Sequence, residues 1–365
     1  MQQNTPKISI IIPIYNGENF IAATIQSIRE QPLYPICEII IINDGSTDNT
    51  QQICESFAHK DDNIHLQNKK NQGVSAARND GIRQARGQYI MFLDADDRYV
   101  DGFIDESLLQ LLKQDYDVIL FSSYTQNSNR NRYGISMQLQ DAEIEGKRPF
   151  PFLGSFSSAM YKREILLKND VLFDEGIRLS EDQVFELKAL YAADKIRMCS
   201  RFCHIYVKNE QSVTHTLEVA MDCMKAYQAA YDWLWKHAKI NRQQMLQFCQ
   251  IKLNSRILLY AQQTAQKSIS QKNLINEMKR IGVWDILMKL KQDEILPYQI
   301  EMLHLIQTNL KKFILKNRLE GLKIYWGRKA LRISIIRMKR DQRIYPYDSI
   351  CLLYTSPSPR DRSLS

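Results

Sequence analysis

Glycine is scarce in this 365-residue chain: there are 13, and no two are separated by a single position. The G-x-G-x-x-G dinucleotide fingerprint and the G-x-x-x-x-G-K-[ST] phosphate loop are therefore both absent, and any nucleotide is held another way. Long apolar runs are missing too. Nothing approaches the ~18 consecutive apolar residues that a membrane span needs. The N-terminus has no basic stretch followed by an apolar one, so no secretory signal is read there and a soluble, cytoplasmic chain is expected. Seven cysteines (Cys37, Cys54, Cys199, Cys203, Cys223, Cys249, Cys351) are an odd, scattered set without a C-x-x-C pair. That pattern excludes a disulfide framework and points to reduced, buried thiols. Cys199, Cys203 and His204 come nearest to a zinc cluster, but they flank a predicted strand and lack a second ligand pair. No internal period of about 20–50 residues marks a repeat architecture.

What is present is an ordinary globular composition, 44% hydrophobic and 25% charged, which excludes disordered and collagen-like classes. The net charge of +8 is unevenly spread. Residues 1–215 carry 23 Lys+Arg against 29 Asp+Glu, a net of −6, while residues 216–365 carry 26 against 12, a net of +14. The two parts are expected to do different work.

The first part alternates strand and helix. The run Lys7–Ile14 is dominated by β-branched isoleucine, as in a strand buried on both faces. Residues 19–30 carry Ile21, Ile25 and Ile28 at helical spacing. The alternation continues with strand Glu38–Ile42, a helix from about Asp48, strand Ile64–Gln67, helix Val74–Arg86 and strand Tyr89–Leu93. A helix near 102–114, a strand Asp117–Ser122 and a helix over 180–193 follow, while 124–150 reads as loop or a short hairpin. Such alternation predicts parallel strands with right-handed crossovers in a doubly wound α/β sheet, whose ligands bind at the carboxyl ends of the strands. From 216 onward strand signals vanish, and Ile300, Leu303, Leu310 and Ile314 illustrate the helical spacing that replaces them. The expected organisation is a catalytic domain over 1–215 and a helical domain over 216–350. Residues 351–365 break the composition and read as a non-native tail.

Polar residues gather where the predicted strands end. Strand one ends in Pro13-Ile14-Tyr15-Asn16, and Tyr15 can stack on a base. Strand two ends in Asn43-Asp44-Gly45-Ser46-Thr47-Asp48, where Asp44 can accept from a base N–H and the last three suit a helix cap. Asp94-Ala95-Asp96-Asp97 follows the apolar strand Tyr89–Leu93. Three carboxylates within four residues repel unless a cation or several donors neutralise them. Asp94 and Asp96 offer hard oxygens of the kind that bind Mg²⁺ or Mn²⁺ together with substrate phosphates; a plain surface turn is the alternative. Glu181-Asp182 opens the 180–193 helix behind Ser180. Carboxylates there are favoured by the helix dipole alone, or one of them could deprotonate a hydroxyl.

In this order these segments resemble the family 2 glycosyltransferases of the GT-A fold. The likeness runs over about residues 7–215 and adds Asn71-Gln72-Gly73 and Ala76-Ala77-Arg78-Asn79 to the segments above. The resemblance implies a nucleotide-sugar-binding domain with a base pocket of Pro13, Tyr15 and Asp44, and with Arg78 near the nucleotide. It places Asp94 on the ribose and close to the metal, and Asp96 on a Mn²⁺ or Mg²⁺ ion that His215 completes. It makes Asp182 the base that takes the acceptor proton in an inverting displacement. The implied donor is a nucleoside-diphosphate sugar, most simply UDP-linked. The implied acceptor is a glycan or lipid-linked glycan of surface-polysaccharide synthesis. A catalytically silent nucleotide-sugar scaffold is the alternative, and it would be expected to lack one of the acidic residues. A nucleotidyltransferase would want a basic, Gly-rich loop where Tyr15-Asn16-Gly17-Glu18-Asn19 stands.

Residues 311–343 hold twelve Lys/Arg against Glu320 and Asp341, with Leu322, Tyr325, Trp326, Ile333 and Ile336 between them. This reads either as a peripheral helix on an anionic membrane surface or as a solvated helix packed by its apolar side on the catalytic domain. Nucleic acid is not an expected partner, because basic charge alone supplies only non-specific affinity and no recognition motif accompanies it.

Overall fold

The computed structural model describes residues 5–127, 133–145, 156–177 and 180–208, and a discontinuous set between 226 and 317. The chain divides near residue 212 into two compact units.

The first unit is built on one sheet in the order β3-β2-β1-β4-β9-β6-β10-β5, with β7 on β6 and β8 on β10. Its parallel half holds β3 (Ile64–Asn68), β2 (Cys37–Asn43), β1 (Ile8–Ile14) and β4 (Tyr89–Phe92). Every residue of β1 and β2 is buried, which is why these strands read as unbroken apolar runs rather than as alternation. Pro13 is tolerated inside this central strand for a local reason. The carbonyl of Ile11 accepts from Leu93, whereas that of Ile14 accepts from Asp44 on the opposite side. In a parallel ladder alternate residues bond to alternate neighbours, so Pro13 faces the β4 side, beyond the point where β4 ends. No ladder bond is lost.

Helices α1 (Ile21–Arg29), α2 (Thr50–Ala58) and α3 (Val74–Gln84) connect these strands. Ile21, Ile25 and Ile28 of α1 enter the core with Ile10, Ile12, Ile39 and Met91. Helix α3 lies directly on β1: a Cβ placed on Gly81 would stand 2.4 Å from Cγ2 of Ile11.

The other half departs from a uniformly parallel pattern. After β5 (Arg98–Tyr99) and α4 (Glu106–Leu112), β6 (Val118–Asn127) does not pair with β4. Strand β9 (Ala159–Lys162) lies between them, antiparallel to both. The 124–150 segment supplies two further strands, β7 (Tyr133–Met137), antiparallel to β6, and β8 (Ala142–Glu145), antiparallel to β10 (Lys195–Lys208). Helices α5 (Arg163–Lys168) and α6 (Glu181–Ala192) precede the long β10 (Lys195–Lys208), which runs parallel to β6. The sheet is therefore mixed, with β3, β2, β1 and β4 mutually parallel and β9 antiparallel to its neighbours.

The second unit is helical where described. Helices α7 (Gln271–Arg280), α8 (Trp284–Lys289), α9 (Ile300–Thr308) and α10 (310–317) pack around Leu274, Met278, Leu287, Leu303, Ile306 and Phe313. The stripe Ile300, Leu303, Leu310, Ile314 belongs to two helices rather than one. Asn309 leaves helical geometry (φ −147°, ψ 72°), and its side chain accepts from the Lys312 N–H at 3.0 Å, capping α10. Phe313 and Ile314 are buried here while Lys311 and Lys312 face solvent, so the first turns of the basic segment pack by their apolar side. Residues 318–343, and the tail 351–365, lie outside the described residues.

Candidate active site

Two loops at the carboxyl ends of β1 and β2 are tied together by side chains. Asn16 takes the left-handed conformation (φ 52°). Its backbone N–H donates to Ser46 Oγ at 2.9 Å, and its Oδ1 accepts from the Thr47 N–H at 2.8 Å. Gly17 N–H donates to Thr50 Oγ1, and Asp48 accepts from the backbone of Glu18 and of Thr50. Ser46, Thr47 and Asp48 thus brace one loop against the other, whereas the residue at the N-cap of α2 is Asn49 and makes no side-chain cap. Tyr15 is left 53% exposed at this edge, and Pro13 is buried beneath it.

Asp44 is buried and accepts two backbone bonds, from Gln72 N–H at 2.9 Å and Gly73 N–H at 2.7 Å. A carboxylate offers about four acceptor positions, so these bonds leave capacity for a base N–H. The same loop presses on Gly45 (φ +79°), where a Cβ would meet the Asn71 nitrogen at 2.8 Å. Asp44 therefore anchors the entry to α3, and with it Arg78.

Arg78 is the hub. Its side chain is 1% exposed and packs against the edge-to-face pair of rings Phe156 and Phe173, with its Cζ 4.5 and 5.1 Å from their centroids. One guanidinium nitrogen donates to Asp94 Oδ1 at 2.8 Å and another to Glu181 Oε1 at 2.9 Å. Arg78 thereby joins the turn after β4 to the first turn of α6. Asn79 adds a second tie to the same region, donating to the Phe173 carbonyl and accepting from the Phe173 N–H. Asp182 follows Glu181 at the half-buried start of α6 and accepts from the Gln183 N–H. Asp94 and Asp96 are likewise half-buried.

The last carboxylate of the acidic turn behaves differently. Asp97 is buried, and its carboxyl is pushed upward, chiefly by burial and against the pull of His204. His204 Nε2 lies 2.9 Å from Asp97 Oδ2, and Val207 N–H donates to Oδ1 at 2.8 Å. Cys203, the preceding residue, sits in the core with Tyr99, and burial raises its thiol; the two cysteines and His204 do not converge on a zinc ion. The Asp97–His204 pair gives no sign in the sequence, since 107 positions separate its members.

The structure thus brings Tyr15, Asp44, Arg78, Asp94, Asp96 and Asp182 to the carboxyl ends of the strands. His215 lies outside the described residues. Among the described residues no group of three or more metal-binding side chains converges. An open cavity of about 460 Å³ lies at the opposite, amino ends of β1 and β4, lined in part by Lys7, Arg86, Lys162 and Arg163. None of the candidate site residues lines it.

A family model described as Glycosyl transferase family 2 matches residues 9–169. The chain is 36% identical over 238 residues to the uncharacterized glycosyltransferase EpsJ of Bacillus subtilis, covering 61% of this chain and 68% of that protein. It belongs to glycosyl transferase family 2. A second relative, the minor teichoic acid biosynthesis protein GgaB of Bacillus subtilis, is 34% identical over 184 residues, 48% of this chain and 20% of that one. Residues 1–349 of Staphylococcus aureus TarS, solved in complex with UDP-GlcNAc, superpose with a TM-score of 0.65 at 20% identity, covering 88% of this chain and 92% of that one. This last likeness establishes the fold. The chain is a glycosyltransferase with the GT-A fold that the family resemblance implies, and it has a helical C-terminal region. No helix among the described residues of this glycosyltransferase is long and apolar enough to cross a membrane.

Proposed function

We propose that this glycosyltransferase moves a sugar from a nucleoside-diphosphate donor, with UDP as the nucleotide, onto a hydroxyl of a glycan or lipid-linked glycan in surface-polysaccharide synthesis. The configuration at the anomeric carbon inverts. One observation carries the reading: the Arg78 guanidinium binds Asp94 and Glu181 together, so that the acidic turn and the first turn of α6, with Asp182, form a single site. The solved TarS complex with UDP-GlcNAc and the teichoic acid role of GgaB support the donor and acceptor classes.

The chemistry follows from that arrangement. Tyr15 stacks on the base, and Asp44 accepts from its N–H. Asp94 holds the ribose. Asp182 accepts the proton of the acceptor hydroxyl as its oxygen bonds to the anomeric carbon. The bond from that carbon to the diphosphate breaks, and its electron pair leaves on the phosphate oxygen. One displacement from the opposite face needs one base and gives inversion without a covalent intermediate. A Mn²⁺ or Mg²⁺ ion supplies Lewis-acid stabilisation of the leaving diphosphate when bound. Asp96, at the half-buried turn, and His215 would hold it, and carboxylate oxygen is a donor suited to a hard cation that takes its remaining ligands from phosphates and water.

The decisive experiment is Asp182→Asn. Loss of a positioned base lowers kcat by roughly 10²–10⁴-fold, while UDP binding followed by calorimetry stays at the wild-type value. Full turnover in that variant removes Asp182 from the base role. A panel of nucleotide sugars, scored for metal-dependent hydrolysis, identifies the donor.

A further inference from the structure

The acidic turn is fastened from three directions. Asp94 is held by Arg78. The carbonyls of Ala95 and Asp97 both accept from the Thr24 hydroxyl, at 2.6 and 2.9 Å, and the Asp97 N–H closes the turn onto the Asp94 carbonyl. The third fastening is made by β10. Both oxygens of the buried Asp97 carboxylate are bound there, one by the His204 ring and one by the Val207 N–H.

Strand β10 is shaped for this contact. Its register against β6 shifts between Cys199 and Phe202 and again between Phe202 and His204, so β10 carries extra residues just before His204. Bulges next to active sites bend a strand and re-aim its side chains. Here the irregular stretch delivers the His204 ring to Asp97, while β5, which follows directly on the turn, pairs antiparallel with His204 and Ile205. Nδ1 of the same ring is buried and meets no hydrogen-bonding partner among the described residues. Among the described residues the one polar bond the imidazole makes is therefore the bond to Asp97.

We propose that His204 is a positioning residue for the donor site, holding the 94–97 turn through Asp97 so that Asp94 and Asp96 present their carboxylates to a bound nucleoside diphosphate. This rests on the donor-site reading above. The physical reason is mutual repulsion. Three carboxylates crowded into four residues spread apart unless they are fixed, and the His204 ring and the Val207 N–H fix the two oxygens of Asp97 from one strand. His204 touches neither donor nor acceptor; it acts through the turn.

The test compares His204→Gln, whose amide keeps a donor near the Nε2 position, with His204→Leu, which leaves Asp97 without it. Asp97→Asn serves as a second probe that keeps the shape of the side chain. UDP binding is measured by calorimetry at stepped Mn²⁺ concentrations on the full chain, and hydrogen exchange is followed at the amides of residues 94–98 and of β1. Wild type binds UDP. The Leu and Asn variants bind it at least tenfold more weakly, need more Mn²⁺ for half-saturation, and exchange faster at 94–98 but not in β1. The Gln variant stays within about threefold of wild type, because the hydrogen bond survives. UDP affinity unchanged in folded Leu and Asn variants, or a Gln variant as weak as the Leu variant, overturns the positioning role while leaving the donor site intact. If the Leu variant fails to fold, the Asn and Gln results decide. A wild-type chain that does not bind UDP with Mn²⁺ overturns the donor-site reading and the positioning role with it.

Discussion

Arg78 and Glu181 lie 103 positions apart in the chain and meet at 2.9 Å in a pocket where both side chains are almost completely buried. Asp94 completes the pair on the other side of the guanidinium. Two carboxylates sharing one cation out of water make Arg78 the most exposed point of failure in the site. Arg78→Met removes an ion-pair hydrogen bond from each of the two acids. Breaking a buried pair from one side costs about 3–5 kcal/mol, so the variant should unfold at markedly lower urea concentration. Arg78→Lys keeps the charge but not the planar fork, and a point charge cannot serve both carboxylates with the same geometry. It should retain more stability than the Met variant and lose most turnover. A Lys variant with normal kcat would show that the fork is dispensable.

Asp44→Asn replaces a carboxylate that accepts two backbone N–H bonds by an amide that can accept at only one of the two positions. Hydrogen bonds to charged groups are worth about 1.5–3 kcal/mol each. The 72–73 loop should loosen, and donor KM should rise by about tenfold or more with a smaller change in kcat. Equal effects on both parameters would place Asp44 in the chemistry rather than in binding.

Gly81→Ala tests the contact between α3 and β1. Alanine is the better helix former by about 1 kcal/mol, but its methyl would stand 2.4 Å from Ile11 Cγ2. Overpacking a well-filled core costs about 1–3 kcal/mol, so the steric term wins. Chemical denaturation should show a net loss of stability, and an increase would mean that α3 can shift away from β1.

The acid limb of the stability curve has an assignable contributor. Burial pushes the Asp105 carboxyl up, but hydrogen bonds from Arg201, Leu108 and Ser107 outweigh it and hold the group down at about 2. A carboxyl whose folded value lies below its unfolded value of about 3.9 stabilises the protein above that pH. The contribution is lost as pH falls from about 4 toward 2. Asp105 also caps α4 through its bond from Leu108 N–H, a role asparagine can fill. Asp105→Asn should therefore fold at neutral pH and show a shallower loss of stability through that window. An unchanged acid profile would assign the effect to other groups.

The basic segment 311–343 makes a prediction of its own. Full-length protein should sediment with vesicles containing anionic phosphatidylserine and not with phosphatidylcholine alone. High salt, which shortens the screening length to ~3 Å at 1 M, should release it. Replacing Arg337, Lys339, Arg340 and Arg343 with Gln should weaken the association by about 1 kcal/mol per charge. No difference between the two lipids would leave the segment as a solvated helix.

The legible part of this protein is the part written locally. Strands buried on both faces must be apolar at every position, so β1 and β2 are visible as isoleucine runs. Helices facing one side of a sheet must repeat their apolar residues at helical spacing, so α1 is visible in Ile21, Ile25 and Ile28. Because ligands meet such sheets at the carboxyl ends, Tyr15, Asp44, Asp94 and Asp96 could be singled out from their positions just after strands. The first turn of α6, with Asp182, was equally plain.

The remainder depended on pairings between distant segments. Nothing around Ala159–Lys162 announces a strand that enters antiparallel between β4 and β6, because four residues carry little pattern and their partners lie about 40 and 70 positions upstream. Arg78 sits in a segment that suggested a nucleotide contact. Only the tertiary structure shows its guanidinium buried against Phe156 and Phe173, with Asp94 and Glu181 on its two arms. His204 stood beside two cysteines, and its ring turns to Asp97 because the strand before it is bulged. Sequence determined which groups stand at the ends of the strands, since burial and periodicity act within a few residues. Tertiary structure alone decided which of those groups are held by one another, since an ion pair or a buried hydrogen bond is set by distance in space and leaves no local trace in the chain.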